Sequence, residues 1–146
     1  MAGGEIDLKA FLQKVIDIYN SHDVRRFDEL VTDDCVLVRN GAEAQGKDEV
    51  KRVRSKLYRA IPDIEYRIDD AIAAGGKVAL RWSGHGTHRG EYMGIAATGH
   101  RLSYDGMTLY EMRGDRVQRI WVSANLLGLM RQLAEHVPLQ PPEART

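Results

Sequence analysis

The 146-residue sequence contains one cysteine, Cys35, and four prolines. A lone thiol excludes an internal disulfide, so a packed core must hold the fold. No apolar run reaches bilayer-spanning length, and Met1 to Phe11 carries no secretory h-region. The expectation is a cytoplasmic protein with no membrane partner. An excess of one charge is also missing, since 21 basic residues balance 21 acidic ones. Without a basic footprint, nucleic acid is not expected as a partner. Three of the prolines fall in the tail PLQPPEART, leaving Pro62 alone in the body of the chain. Residues 1–137 therefore read as a single domain able to bury roughly two thirds of its unfolded surface, and 138–146 as an extended C-terminal tail.

What the chain does have is apolar periodicity. Between Glu5 and Asn20, Leu8, Phe11, Leu12, Val15, Ile16 and Tyr19 recur at three- and four-residue steps, predicting an amphipathic helix. Asp23 can cap a second, short helix from Val24 to Val31. Cys35 to Val38 favours a strand, Arg39 to Gly46 reads as a polar loop, and Lys47 to Ala60 as a basic helix closed by Pro62. The basic face of that helix reads as solvated and receives no function.

From Ile64 the period falls to two. Ile64, Tyr66, Ile68 and Asp70 share one face of a strand, Gly75-Gly76 turns the chain, and Val78, Leu80, Trp82, Gly84, Gly86 and His88 share a face of the next. A loop from Gly90 to Gly99 leads into a strand from His100 to Arg113, and Gly114-Asp115 turns it into Arg116 to Ser123. Between Arg119 and Leu133 the period changes again, because Leu126, Leu129, Met130 and Leu133 fall at helical spacing. This order predicts an α+β fold. A cone-shaped curved antiparallel sheet of four or five strands packs against three N-terminal helices, with a C-terminal helix, as an α+β barrel. Gly84, Gly86 and Gly106 are expected to supply bulges that curl the sheet. The cone should enclose a blind apolar pocket lined by Trp82, Tyr104, Trp121 and the first helix. Strand parity puts Arg119 on the Trp121 face and leaves Ile120, Val122, Met107 and Leu109 outside, which predicts a homodimer.

The segment GTHRGEYMGIAATGH at 86–100, the strand and G-D turn after it, Ile120-Trp121, and L-x-x-x-R-Q-L at 127–133 together resemble the SnoaL-like polyketide cyclases. These are cone-shaped α+β proteins of the nuclear-transport-factor-2-like superfamily, and the resemblance runs from about residue 6 to residue 134. It implies a W-x-x-x-D element before the terminal helix, whose aspartate is the acid/base of an intramolecular aldol ring closure. The matching position here is Asn125. A histidine and a glutamine carried by the same cyclases on the preceding strand match Thr108 and Gly106. The chain thus departs from the cyclase pattern at all three positions. An aspartate with an ordinary pKa of about 4 can be tuned to exchange a proton, whereas an amide only donates and accepts hydrogen bonds. Asn125 can orient a substrate oxygen but cannot take its proton.

Either another residue has taken over the proton's work, or the reaction is a different one. Asp105 is either a turn or bulge residue beside Gly106 or, re-aimed by a bulge, the replacement acid/base. His88 is either satisfied by neighbouring backbone or a proton carrier on the Trp82 face. Trp82 and Trp121 are either core or the walls of a slot for a planar polycycle, with Tyr104, Thr108 and Ser123 as further substrate contacts. Arg119 faces solvent or a partner chain, or pairs with a phenolate. His85 and His88, three apart on a strand, point to opposite faces with no carboxylate at chelating spacing, so no metal is expected.

A chain that keeps the cone and the terminal motif but lacks the aspartate resembles the branch associated with cofactor-independent hydroxylation of anthracycline-type substrates. The resemblance implies a tailoring enzyme that takes an aromatic polyketide, uses dioxygen as co-substrate without metal or organic cofactor, and works beside a separate reductase. The alternatives are a cyclase in which Asp105 or a histidine replaces the aspartate, and a polyketide-binding module without catalysis.

Overall fold

The structure, a computed structural model, describes residues 6–135. The tail and the domain limit at 137 lie outside the described residues. Helix α1, Leu8–Ser21, starts at Asp7, whose carboxylate accepts the Ala10 N–H at 3.1 Å, and buries Phe11, Val15 and Ile18. The second helix is a 3₁₀ segment, Val24–Glu29, and the chain then enters strand β1, Val31–Arg39, earlier than expected. The expected polar loop is instead a hairpin. Asn40 and Gly41 take φ of 49° and 89°, as a two-residue turn requires, and β2, Ala42–Gln45, pairs back on β1. Helix α2, Lys47–Ala60, follows with Asp48 and Glu49 in its first turn, where the helix dipole favours them.

Strands β3 (Glu65–Ala74), β4 (Lys77–Thr87), β5 (Arg101–Arg113) and β6 (Arg116–Ala124) form an antiparallel meander. Strand β1 joins β6 in parallel, giving six strands in the order β2-β1-β6-β5-β4-β3. The sheet is therefore larger than expected and not wholly antiparallel. It is also open rather than a closed barrel, with β2 and β3 as its edges. Helix α1 lies against β3 and α2 against β1, so both cover the concave side of the cone.

The glycines do not make bulges. Pairing of β4 with β5 runs unbroken from Lys77↔Glu111 to Thr87↔Arg101. Gly106 instead makes room, since a Cβ there would stand 2.5 Å from Trp82 Cζ2 and 2.7 Å from the Ser123 carbonyl oxygen. Within the meander the register breaks lie at Ile68/Asp70 and at Glu111/Met112, and β1 has another against β6 at Val31/Val36. The second break re-phases β6, because Met112 pairs with Val117 and Glu111 with Arg119, leaving Gln118 over. Val117 and Ile120 then both face the core, and Ile120 and Val122 are not on the outer face where parity had put them. Trp121, 41% exposed, is outside with Met107.

Helix α3, Leu126–Glu135, takes the place of a missing strand. Strand β6 ends with Ala124 opposite Gly106, leaving β5 without a neighbour from Asp105 back to Arg101 on that side. Asn125 N–H donates to the Asp105 carbonyl at 2.8 Å, and the Gln132 side chain both accepts the Ser103 N–H at 2.8 Å and donates to the Ser103 carbonyl. Leu129 and Leu133 seal the cone beneath. Among the described residues no helix is long and apolar enough to cross a membrane.

Candidate active site

Between α1, α2 and the concave face lies a cavity of about 60 Å³. Its walls are largely apolar, with Val15 and Ile16 from α1, Val53 from α2, and Leu80, Ile120 and Val122 from the sheet. Among the described residues no aspartate, glutamate or histidine lines it; the polar groups are two arginines, four tyrosines, a threonine and one indole.

Arg54 is the centre of that set. Its position on α2 is dictated by spacing: Val50, Val53, Leu57 and Tyr58 form the apolar stripe, and residue 54 falls inside it. The guanidinium carbon lies 4.9 Å from the Tyr19 ring centroid, 4.8 Å from Tyr58 and 5.3 Å from Tyr66. Such stacking supports a cation electrostatically but supplies no counter-charge. One Nη donates to the Tyr66 hydroxyl at 3.1 Å, while Nε is buried with no hydrogen-bond partner. Burial opposes the charge and the tyrosine oxygens around it favour it; the balance holds Arg54 above the ordinary arginine range, so it stays protonated. No carboxylate among the described residues pairs with it. Aromatic faces and phenol oxygens support this cation without a formal counter-charge, which leaves it available to an anionic ligand.

The tyrosines cannot supply the missing negative charge. Burial pushes Tyr19 up to about 12, although Arg54 pulls the other way, and burial likewise raises Tyr104 and Tyr110 well above their usual range. Tyr19, Tyr104 and Tyr110 remain neutral hydrogen-bonding groups at physiological pH. Their hydroxyls stand in pairs, Tyr66 with Tyr104 at 3.1 Å and Tyr110 donating to Tyr19 at 3.2 Å. Trp82 stands edge-on to both Tyr66 and Tyr104, and its indole N–H donates to Thr108 Oγ1 at 2.9 Å. Of the residues singled out in the sequence, Trp82, Tyr104 and Thr108 line the cavity, and Trp121 does not.

The others do not meet there. Asp105 alternates out of the cone, since the unbroken register at Gly106 leaves nothing to re-aim it. Its Oδ1 accepts the Asn125 amide at 3.3 Å in a polar groove on the far side of the sheet, beside Gln132. Asn125 also accepts the Gly128 N–H at 3.0 Å, so it caps α3 from outside the cavity. Ser123, Arg119 and Trp121 are on the convex face, where the Arg119 guanidinium lies 5.2 Å above the Trp121 ring and the indole N–H donates to Glu111. His88 is fully buried but outside the cavity lining; its Nδ1 accepts the Thr98 N–H at 3.3 Å and contacts Thr98 Oγ1 at 3.0 Å. His85 faces Arg101 at 2.7 Å, apart from His88, and among the described residues no three metal-ligating side chains gather.

A family profile described as SnoaL-like polyketide cyclase matches residues 9–133. The chain belongs to the SnoaL-like polyketide cyclase family. No curated protein matches it. Among solved structures, AclR from Streptomyces galilaeus, a proposed hydroxylase, is 25% identical with a TM-score of 0.78, covering 94% of this chain and 86% of its own. TsrD from Streptomyces laurentii is 23% identical with a TM-score of 0.79, over 88% of this chain and 98% of its own. IdmH from Streptomyces antibioticus, a proposed polyketide cyclase, is 21% identical with a TM-score of 0.76, over 88% and 99%. The SnoaL-like assignment accounts for the cone, and the terminal L-x-x-x-R-Q-L motif acts in this member through Gln132, which completes the β5 ladder. Arg54 was the residue that sequence reasoning passed over. Its signal was a basic residue inside an apolar stripe, four residues before Tyr58.

Proposed function

We propose that the chain is a tailoring enzyme of aromatic polyketide biosynthesis that hydroxylates an anthracycline-type polycycle with dioxygen and without a metal or organic cofactor. The observation that carries this reading is the Arg54 guanidinium, without a counter-charge, in a cavity where no described residue offers a carboxylate or imidazole. A phenol or hydroquinone ionises with a pKa near 10, and an adjacent cation in a dry site lowers that value by one or more units. Such a substrate needs a place for its anion more than it needs a strong base. An aldol closure must remove a proton from carbon and calls for a positioned base, which this cavity lacks. The phenolate gives one electron to dioxygen and the resulting radicals combine at carbon as a hydroperoxide. Two further electrons, furnished by a separate reductase, convert it to the ring hydroxyl and water. Tyr66 and Tyr104 hold the anion beside Arg54, and Trp82 walls the rings.

Size sets a condition. A cavity of about 150 Å³ accommodates a benzene, so a polycycle enters only as Arg54 and the half-buried Ile16 and Val53 move aside. Turnover in ¹⁸O-labelled dioxygen tests the reading, with one labelled oxygen in the product as the expected result. Turnover unchanged with dioxygen excluded sinks it. A second reading, aldol cyclisation, is favoured by the likeness to IdmH and by the ability of Arg54 to hold an enolate; ring-closed product without dioxygen would select it. We also propose a homodimer through the convex face, where Ile72, Ala79, Leu109, Trp121 and Val38 pair in a continuous apolar row across five strands.

A further inference from the structure

The cavity holds a second cation that the hydroxylation reading does not use. Arg39, the last residue of β1, lines the same chamber, and its Nη2 donates to the Tyr92 hydroxyl at 3.0 Å. No carboxylate among the described residues pairs with it. Tyr92 sits on the loop between β4 and β5, in a tight turn where Tyr92 and Ile95 exchange backbone hydrogen bonds of 2.9 Å in both directions. Met93 and Gly94 take φ of 52° and 78° to close it. A neutral phenol is a weak partner for a guanidinium and is readily exchanged for an anion. Arg39 and Arg54 both line this one cavity, with Tyr104 and Tyr66 between the strands and helix that carry them.

With two guanidinium groups lining one cavity and no carboxylate on either, a ligand with one anionic oxygen engages only one of them. A ligand with two engages both, and a carboxylate matches the planar fork of a guanidinium with paired hydrogen bonds. Resting on the reading of Arg54 as the holder of the phenolate, we propose that the substrate is an aromatic acid: a polyketide-derived ring system carrying a free carboxylate beside its phenol, with the carboxylate on Arg39 in exchange for Tyr92. The enzyme then acts before that acid is esterified or lost, so an esterifying or decarboxylating reaction follows it.

The test is binding of 1-hydroxy-2-naphthoate, which has the required pair of groups, against its methyl ester, followed by calorimetry on the full chain. The acid should bind at least tenfold tighter than the ester, a difference of about 1.4 kcal/mol. Arg39→Gln should bring the acid down to the affinity of the ester, and Arg39→Lys should keep part of the preference, with circular dichroism verifying the fold of each. Equal affinities in the unmodified protein, a preference that survives Arg39→Gln, or no saturable binding of the acid would each overturn the inference. Because binding is measured without turnover, the two claims fail separately. An acid preference with no label incorporated from dioxygen leaves the inference standing and removes the hydroxylation reading, and efficient hydroxylation of the ester does the reverse.

Discussion

Arg54 sets function against stability within one side chain. Its stem belongs to the apolar stripe of α2, while its head is a charge without a counter-charge and a buried Nε without a partner. A charge buried without an ion pair carries a desolvation cost that an apolar side chain of similar length does not. Arg54→Met should therefore leave the melting temperature unchanged or raise it while lowering turnover by about 10²- to 10³-fold, the usual loss for one oxyanion-holding donor. A variant that loses stability and activity together would mark Arg54 as a structural residue. Asn125 makes the opposite case. Asn125→Asp restores the residue that the family's cyclases use, yet the side chain faces the outer groove, so no ring-closing activity should appear in a product assay. An aspartate caps a helix as well as an asparagine does, but it would face the Asp105 carboxylate where the amide now donates at 3.3 Å. The variant should melt lower at neutral pH.

Elements were legible in the sequence where one face is buried and a turn residue marks each end. Helices α1 and α2 showed their apolar stripes, and Gly75-Gly76 and Gly114-Asp115 showed the two turns of the meander. Strand β2 was missed although Asn40-Gly41 is a strong hairpin signal, because four residues with one buried side chain carry almost no periodicity. The phase of β6 was missed for a different reason. Parity counts residues, and the extra residue at Gln118 leaves no mark in composition, so the facing beyond it inverted: Trp121 was placed in the pocket, with Arg119 on its face, and Ile120 and Val122 outside. The glycines were noticed, but their role had to be seen in space. Gly106→Ala would push a methyl against the Trp82 ring and the Ser123 carbonyl, both nearer than 3 Å. The expected cost is about 1–3 kcal/mol, read as a lower denaturation midpoint. Fluorescence should report a displaced Trp82 that has lost its bond to Thr108.

At the scale of the molecule, the cone separates two surfaces that sequence parity had mixed. The concave side, roofed by α1 and α2, holds the cationic, tyrosine-lined cavity; the convex side carries the apolar row and the groove capped by Asn125. The proposed dimer belongs to the convex surface. Trp121→Glu should therefore shift sedimentation from twice the chain mass to the chain mass without altering ligand affinity, and a variant that remains dimeric would place the contact elsewhere.

The claim on which the account turns is that the concave cavity binds an ionised phenol at Arg54. The most direct measurement is the titration of bound 2-naphthol by its phenolate absorbance, in the unmodified protein and in Arg54→Met. Binding should lower the phenol's pKa by at least about one unit in the unmodified protein, and Arg54→Met should abolish the shift. A bound pKa equal to or above that of the free phenol, or a lowering that survives in Arg54→Met, would contradict it.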